Sequence, residues 1–548
     1  MPHLPHVGLA TALLMAFTPF VAPAAAWDTE APAASQDLRE SAAALDIGAT
    51  AARDIRTTAA ARDIRATAVT RGIRTTAVAR DIPGSAVARN FAPPAADTGR
   101  AFAIAREVER IAVERTFWPG FDPLSVPLAI YSGGRTYLFR HPSPPEGFAP
   151  LPGAEPAVSV FEGRHPAMIA NTSMEIGGVV TATLLADDGA TEPLGPRELA
   201  AVALHEAFHV FQRQRHPRWR ANEANLMTYP TDDAGLLALR RRESAALRRA
   251  LAASHGGDDA TAACWTRLAL EARRDRFAAM DSVFPAYERG TEMNEGLAAY
   301  IELRAAGRTT VELPEAEFPP AAVRVRAYTI GPALAFLLDR FRPGWQAALE
   351  EDDARTLDEL LGAALDEVLG AQVDKLLRAG LDTGPGKAGR CGLDAVEAAE
   401  IERVAREDVA ALIARRTERR KAFDAREGWR VIVEPASGQP LWQRGFDPIN
   451  LEHVDGGLLH TRFLRLANDS GELEAIDGAG ADIEVLTEPA GPHPLFAGIA
   501  RAAFAGFAER PEVSDEGGRI VIRAPGFTAS FRDADVEERG RVLVVRLR

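Results

Sequence analysis

The stretch Ala200-Ala201-Val202-Ala203-Leu204-His205-Glu206-Ala207-Phe208-His209-Val210-Phe211-Gln212 constrains the fold more than any other part of the chain. It is a nearly apolar, helix-favouring run, opened by Pro196, which suits a first helical turn, and followed by Pro217, which suits a stop. A helix of that composition belongs in an interior, yet this one carries two imidazoles and a carboxylate, which are costly to bury without partners. The rest of the fold must therefore bring polar groups or an ion to this helix. His205 and His209 are four positions apart, just over one turn of about 3.6 residues, so both rings leave the same face and can reach one metal ion. Glu206 lies about 100° round the helix from His205. There it can take a proton from the water that such an ion activates without itself being a ligand.

Two imidazoles call for zinc, and a hydrolytic Zn2+ site keeps three protein ligands and one open position, so a third ligand is required. Two carboxylates compete for that place. Glu295, in Met293-Asn294-Glu295-Gly296-Leu297-Ala298-Ala299-Tyr300-Ile301-Glu302, lies on an expected helix whose Glu288, Glu292, Glu295 and Glu302 share a face. Gly296 beside it would let that helix approach another closely. Glu243 falls on the apolar stripe of Leu236, Leu239, Leu247 and Ala250, where a carboxylate needs either an arginine or the surroundings of a metal as partner. Gln212, one turn beyond His209, is placed to orient a ligand. His165, His216 and His460 have no metal-binding spacing and read as ordinary residues.

The remaining sequence sets the frame. At 548 residues with 47% hydrophobic and 26% charged side chains, the chain has room for two or three folded units. Its formal net charge of −14 argues against nucleic acid or an anionic membrane as the main partner. Residues 1–26 read as a signal peptide: Leu9 to Ala26 is almost entirely apolar and ends in Ala24-Ala25-Ala26, although His3 and His6 stand where Lys or Arg is usual. With no further apolar run long enough to span a bilayer, the expected location is periplasmic or secreted. Cys264 and Cys391 could pair in such an oxidising compartment, but two cysteines do not make a disulfide scaffold.

Residues 27–96 form an Ala/Arg/Thr tract in which Arg53-Asp54-Ile55, Arg62-Asp63-Ile64, Arg71-Gly72-Ile73 and Arg80-Asp81-Ile82 recur every nine residues. So few large apolar side chains cannot offset the entropy of ordering, and the tract reads as a spacer. Residues 97–392 are expected to form the hydrolase domain, with a helix over Phe102 to Phe117 and strands at Leu128 to Tyr131, Thr136 to Phe139 and Val179 to Leu185. From Pro196 to about Leu381 the periodicity is helical. The strand Val179 to Leu185, just before the metal helix, is the expected edge on which an extended peptide could add. Residues 393–428 read as a charged connecting helix and 429–548 as an all-β domain of sandwich type, with strands at Arg430 to Val433, Leu458 to Leu466, Arg519 to Arg523 and Arg541 to Leu547. The expected class is α+β: a mainly helical, zincin-like catalytic domain with a small N-terminal sheet, then a β domain.

His205-Glu206-x-x-His209 followed by Asn294-Glu295-Gly296-Leu297-Ala298-x-Tyr300 resembles the gluzincin metallopeptidases, especially the aminopeptidase-like group with its Asn-Glu-Gly-Phe-Ala motif. That resemblance implies Glu295 as the third Zn2+ ligand. Tyr328-Thr329-Ile330-Gly331-Pro332-Ala333-Leu334 is similar to that group's Tyr-x-x-Gly segment, which implies that Tyr328 stabilises the oxyanion. The sequence departs from the group in one respect: Glu295 lies 86 residues beyond His209, a much longer interval than usual there, whereas Glu243 lies only 34 beyond. The resemblance covers roughly residues 175 to 340. The expected activity is hydrolysis of peptide bonds in a peptide or protein substrate, with Glu206 as general base. The alternatives are a catalytically weak or inactive metal-containing envelope binding protein and a zinc hydrolase of a non-peptide amide.

Overall fold

The computed structural model describes residues 99–548, apart from 155–156, 188–190, 192, 316, 379–390, 448–449, 477–482 and 494–495, and apart from the side chains of 369–378. The expected signal peptide and repeat spacer lie outside the described residues. Residues from 99 onward belong to one compact unit.

The architecture is α+β, with a small N-terminal sheet, a helical middle and a C-terminal all-β region. Helix α1 (Gly99–Glu114) buries Phe102, Ile104, Ala105, Val108 and Ile111 along one stripe. Six strands follow: β1 (Leu128–Ser132), β2 (Arg135–Phe139), β3 (Ala149–Pro150), β4 (Val158–Glu162), β5 (Thr172–Ile176) and β6 (Val179–Leu185). They form one sheet in the order β3-β4-β2-β1-β6-β5. Ala129, Leu138, Met168, Ile176 and Leu185 pack together as one apolar cluster of this layer.

Val179 to Leu185 is not the edge that the sequence implied. It pairs in parallel with β1 and antiparallel with β5, so its backbone is engaged on both sides and β5 is the edge. The cause is the tight Gly177-Gly178 turn, with φ of 56° and 79°, which folds β5 back onto β6. Both angles lie in the left-handed region where a two-residue hairpin turn requires glycine or its like.

The helical layer comprises α2 (Pro196–Arg215), α3 (Ala234–His255), α4 (Asp259–Ala278), α5 (Val283–Thr291), a π turn (Glu292–Gly296), α6 (Leu297–Ala305), α7 (Val323–Phe341), α8 (Gln346–Glu351), α9 (Leu357–Arg378) and α10 (Ala395–Asp424). Helix α2 begins on Pro196 and closes at His216, just before Pro217. Asp233 and Asp258 cap α3 and α4 by accepting hydrogen bonds from Leu236 N and Thr261 N. A disulfide joins Cys264 on α4 to Cys391 ahead of α10. Among the described residues no helix is long and apolar enough to cross a membrane.

Helix α10 links the two regions. Its Ala405 and Val409 pack on Leu237 and Ala238 of α3, and its Phe423 packs on Val454, Leu459, Leu486, Ala503 and Ala505 of the β region. That region holds two sheets with a shared interior. A seven-stranded sheet contains β7 (Trp429–Glu434), β9 (Leu451–Val454), β10 (Gly457–His460), β13 (Glu484–Pro489), β14 (Ile499–Phe507), β18 (Ala534–Arg539) and β19 (Val542–Leu547). A six-stranded sheet contains β8 (Trp442–Phe446), β11 (Phe463–Asn468), β12 (Gly471–Ile476), β15 (Glu512–Asp515), β16 (Arg519–Ala524) and β17 (Phe527–Arg532). Val431, Phe504 and Val545 from the first meet Leu464, Ile522 and Phe531 from the second in one core, the arrangement of a sandwich. The run Leu458 to Leu466, expected as one strand, is two: the chain leaves one sheet after His460 and enters the other at Phe463.

Candidate metal centre

The two histidines of α2 meet the π turn. His205 is 3% exposed and Glu295 7%, so their encounter takes place away from bulk water. The Nε2 atoms of His205 and His209 are 3.1 Å apart. Glu295 Oε2 lies 3.3 Å from His209 Nε2 and 3.9 Å from His205 Nε2. All three donor atoms fall within 4.8 Å of one another, and among the described residues this is the group that could hold a metal ion. Two ligands bound tetrahedrally at about 2.0–2.1 Å would stand roughly 3.3 Å apart, close to the spacing found here. The donor set, two imidazole nitrogens and one carboxylate oxygen, fits zinc with its fourth position open.

The opposite edges of both rings are fixed. His205 Nδ1 donates to Glu302 Oε2 at 3.0 Å, and His209 Nδ1 donates to Gln212 Oε1 at 2.8 Å. A carboxylate and an amide oxygen can only accept, so the hydrogen sits on Nδ1 and Nε2 is left for a metal. Gln212 also donates to Met293 O at 2.8 Å and Asn294 O at 3.0 Å. One side chain thus ties α2 to the turn that carries Glu295. Gln212 was anticipated from sequence, whereas the part played by Glu302 was missed, although its place seven residues beyond Glu295 was visible.

Electrostatics follow from this packing. Burial favours a neutral His205, but the neighbouring carboxylates of Glu295 and of Glu302, the latter hydrogen-bonded to the ring, raise its pKa to about 10. Both carboxylates favour positive charge at this ring, whether a proton or a metal ion supplies it. Burial opposes the charge on Glu295, but His209, His205 and Arg324 outweigh it and hold the carboxyl well below the usual range. Glu206 is 7% exposed, and among the described residues no hydrogen bond fixes its carboxylate. Burial raises its pKa, against the pull of His205 and His209. A carboxylate of that kind is suited to accept a proton.

Tyr328 also belongs to the site. Its ring stacks on His205, with centroids 6.2 Å apart and planes 9° from parallel, and its hydroxyl accepts from Arg324 Nη1 at 3.0 Å. Burial, together with the Glu295 charge, lifts its pKa well above the ordinary value, so the phenol keeps its proton and remains a donor.

The π turn is what divides the four glutamates expected to share one face. An i→i+5 turn adds a residue to the helical path and rotates every later side chain about the axis. Glu288 and Glu292, before or at its start, face arginines, while Glu295 and Glu302 face the histidines. Gly296 allows the turn to lie directly on α7. A Cβ there would fall 2.7 Å from Gly331 Cα, and a Cβ on Gly331 would fall 2.5 Å from Gly296 Cα. In both cases the added Cβ meets backbone, so neither contact can be relieved by a side-chain rotation. Gly331→Ala should therefore push the helices apart, costing about 1–3 kcal/mol and weakening zinc binding by displacing Glu295. Denaturant titration and a zinc affinity measurement on the variant check both effects; wild-type values in both would remove the crossing from the site's construction.

Glu243, the rival third ligand, is not brought to the histidines. It is buried among Arg273, Arg276 and Arg326, at 2.9, 2.7 and 3.0 Å. Burial would raise its pKa, but the three guanidiniums lower it. Of the two partners that its apolar stripe called for, the arginines are the ones present. The other histidines are placed as ordinary residues: His216 pairs with Glu350 at 2.8 Å and stacks on Trp219, His165 packs against Phe148 and Phe161, and buried His460 meets Thr487 at 3.1 Å.

No family model matches the chain, and neither the curated proteins nor the solved structures contain a match.

Proposed function

We propose that the chain is an exported zinc-dependent hydrolase of peptide bonds, similar in its site to the gluzincin metallopeptidases. The observation that carries this reading is the convergence of His205, His209 and Glu295 beside a buried, unfixed Glu206. A zinc ion held by those three side chains would supply Lewis acidity, making water acidic enough to attack near neutral pH and drawing charge from a carbonyl.

The chain's own residues do the rest. Glu206 takes the proton of the attacking water and passes it to the leaving amine. Tyr328, a protonated phenol whose oxygen already accepts from Arg324, can give its hydrogen to the developing oxyanion. Glu302 and Gln212 hold the imidazoles in the tautomer that leaves Nε2 free. An extended substrate would add along β5, the edge strand, and not along β6. Arg213, one turn beyond His209, already donates to Ser173 O on that strand at 3.2 Å, so α2 and the β5 edge are held together.

The test is metal content. Purified protein is expected to carry about one zinc per chain, and His205→Ala and Glu295→Ala should each lose it while remaining folded by circular dichroism. Metal-free wild-type protein that takes up no zinc would sink the reading. Full zinc occupancy in Glu295→Ala would remove that residue as the third ligand.

A further inference from the structure

We propose that Arg324 is a positioning residue that decides which oxygen of Glu295 faces the histidines and, through the same guanidinium, orients Tyr328. This rests on the metal reading above and adds to it a named residue outside both sequence motifs.

The guanidinium is shared among three oxygens. Nη2 reaches Glu295 Oε1 at 2.7 Å, Nη1 reaches the Tyr328 hydroxyl at 3.0 Å, and Nε reaches Glu223 Oε1 at 3.2 Å. Asn294 Nδ2 donates to the same Glu295 Oε1 at 3.1 Å. That oxygen therefore holds two donors, while Oε2 is the one that faces both imidazoles. A carboxylate pinned in this way offers a metal one oxygen, which keeps the coordination number low and a position open.

The arrangement is fixed from behind. Glu223 opens a 3-10 turn after Asn222, and its second oxygen accepts from the Tyr287 hydroxyl at 3.1 Å. Arg324 and Tyr328 are one helical turn apart on α7, so they share a face. Because the tyrosine oxygen accepts from Arg324, its own hydrogen must point elsewhere. Pro332, four residues on, has no N–H to return to the Tyr328 carbonyl. A lysine could keep the charge but has no planar fork with which to span the carboxylate and the phenol.

The contrast with the arginines around Glu243 is informative. Those guanidiniums pair with buried carboxylates outside the group of His205, His209 and Glu295, whereas Arg324 touches a residue of that group directly.

The experiment compares wild type, Arg324→Ala and Arg324→Lys for zinc affinity and, after replacement of zinc by cobalt(II), for the visible spectrum. Arg324→Ala is expected to bind zinc about 10–100-fold more weakly, with a weaker, shifted cobalt spectrum as both oxygens of Glu295 become free to bind. Arg324→Lys should recover part of the affinity without restoring the spectrum. Denaturant midpoints close to wild type would separate these effects from unfolding. If wild type binds both metals and Arg324→Ala shows the same affinity and spectrum, Arg324 is only an ion-pair partner and the inference fails while the metal reading stands. If wild type binds neither metal, both fail.

Discussion

Glu206→Gln is expected to bind zinc as the wild type does and to hydrolyse peptides a hundredfold to ten-thousandfold more slowly, roughly the range that a positioned general base contributes. The expectation comes from where the side chain sits. It is buried beside both imidazoles, yet none of the ligand contacts runs through it, because His205 and His209 converge with Glu295. Glutamine keeps the shape and removes the proton acceptor. Burial has already raised the carboxyl pKa, moving it toward the neutral range in which a base works best. The measurement pairs metal analysis with turnover of a fluorogenic peptide library, scored on the best wild-type substrate. A variant that keeps full turnover would show that the carboxylate handles no proton, and one that loses zinc would show it to be a ligand. A protein that uses the metal only for binding would give a third pattern, with no peptide cleaved by either form.

Much of this site was legible because its information is local. The four-residue spacing of His205 and His209 needs only a helix to become geometry, and Pro196 and Pro217 mark where that helix begins and ends. The close approach at Gly296 could be read from the residue itself, though not that Gly331 would be the partner. What could not be read was tertiary. The residues alone left both Glu295 and Glu243 open, with Glu295 favoured by the resemblance; the α3–α4 hairpin separates them by supplying Arg273 and Arg276 to Glu243. The shared face of Glu288, Glu292, Glu295 and Glu302 assumed an unbroken α-helix, and the π turn broke it. In the sheets, apolar runs marked β1, β2 and β6 but neither β4 nor β5, and not which strands would be neighbours. The Gly177-Gly178 turn was the overlooked sign that β6 would be covered by β5, and nothing in Leu458 to Leu466 announced that the chain changes sheets there. Arg324 was missed because two of its three partners, Glu223 and Glu295, lie far from it in sequence.

Glu243→Gln should lower the free energy of unfolding by about 3–5 kcal/mol, the cost of breaking a buried ion pair from one side. The carboxylate is 1% exposed and is the shared counter-charge of Arg273, Arg276 and Arg326. Glu288 also serves Arg276, and Glu292 and Asp358 also serve Arg273. Removing the Glu243 charge takes from Arg273, Arg276 and Arg326 the one carboxylate that all three share, in a space with little water to screen them. Arg273 transmits the effect, since it joins Glu243 to Glu292 at the start of the π turn that carries Glu295. A neutral Glu243 should therefore also weaken zinc binding, but only as far as the turn loosens and with His205, His209 and Glu295 still in place. The two readings of this residue then separate by measurement. As a keystone of the arginine cluster, Glu243→Gln shows a large fall in urea midpoint and retains zinc at saturating metal; as a ligand, it would show the reverse, a stable protein that cannot be loaded.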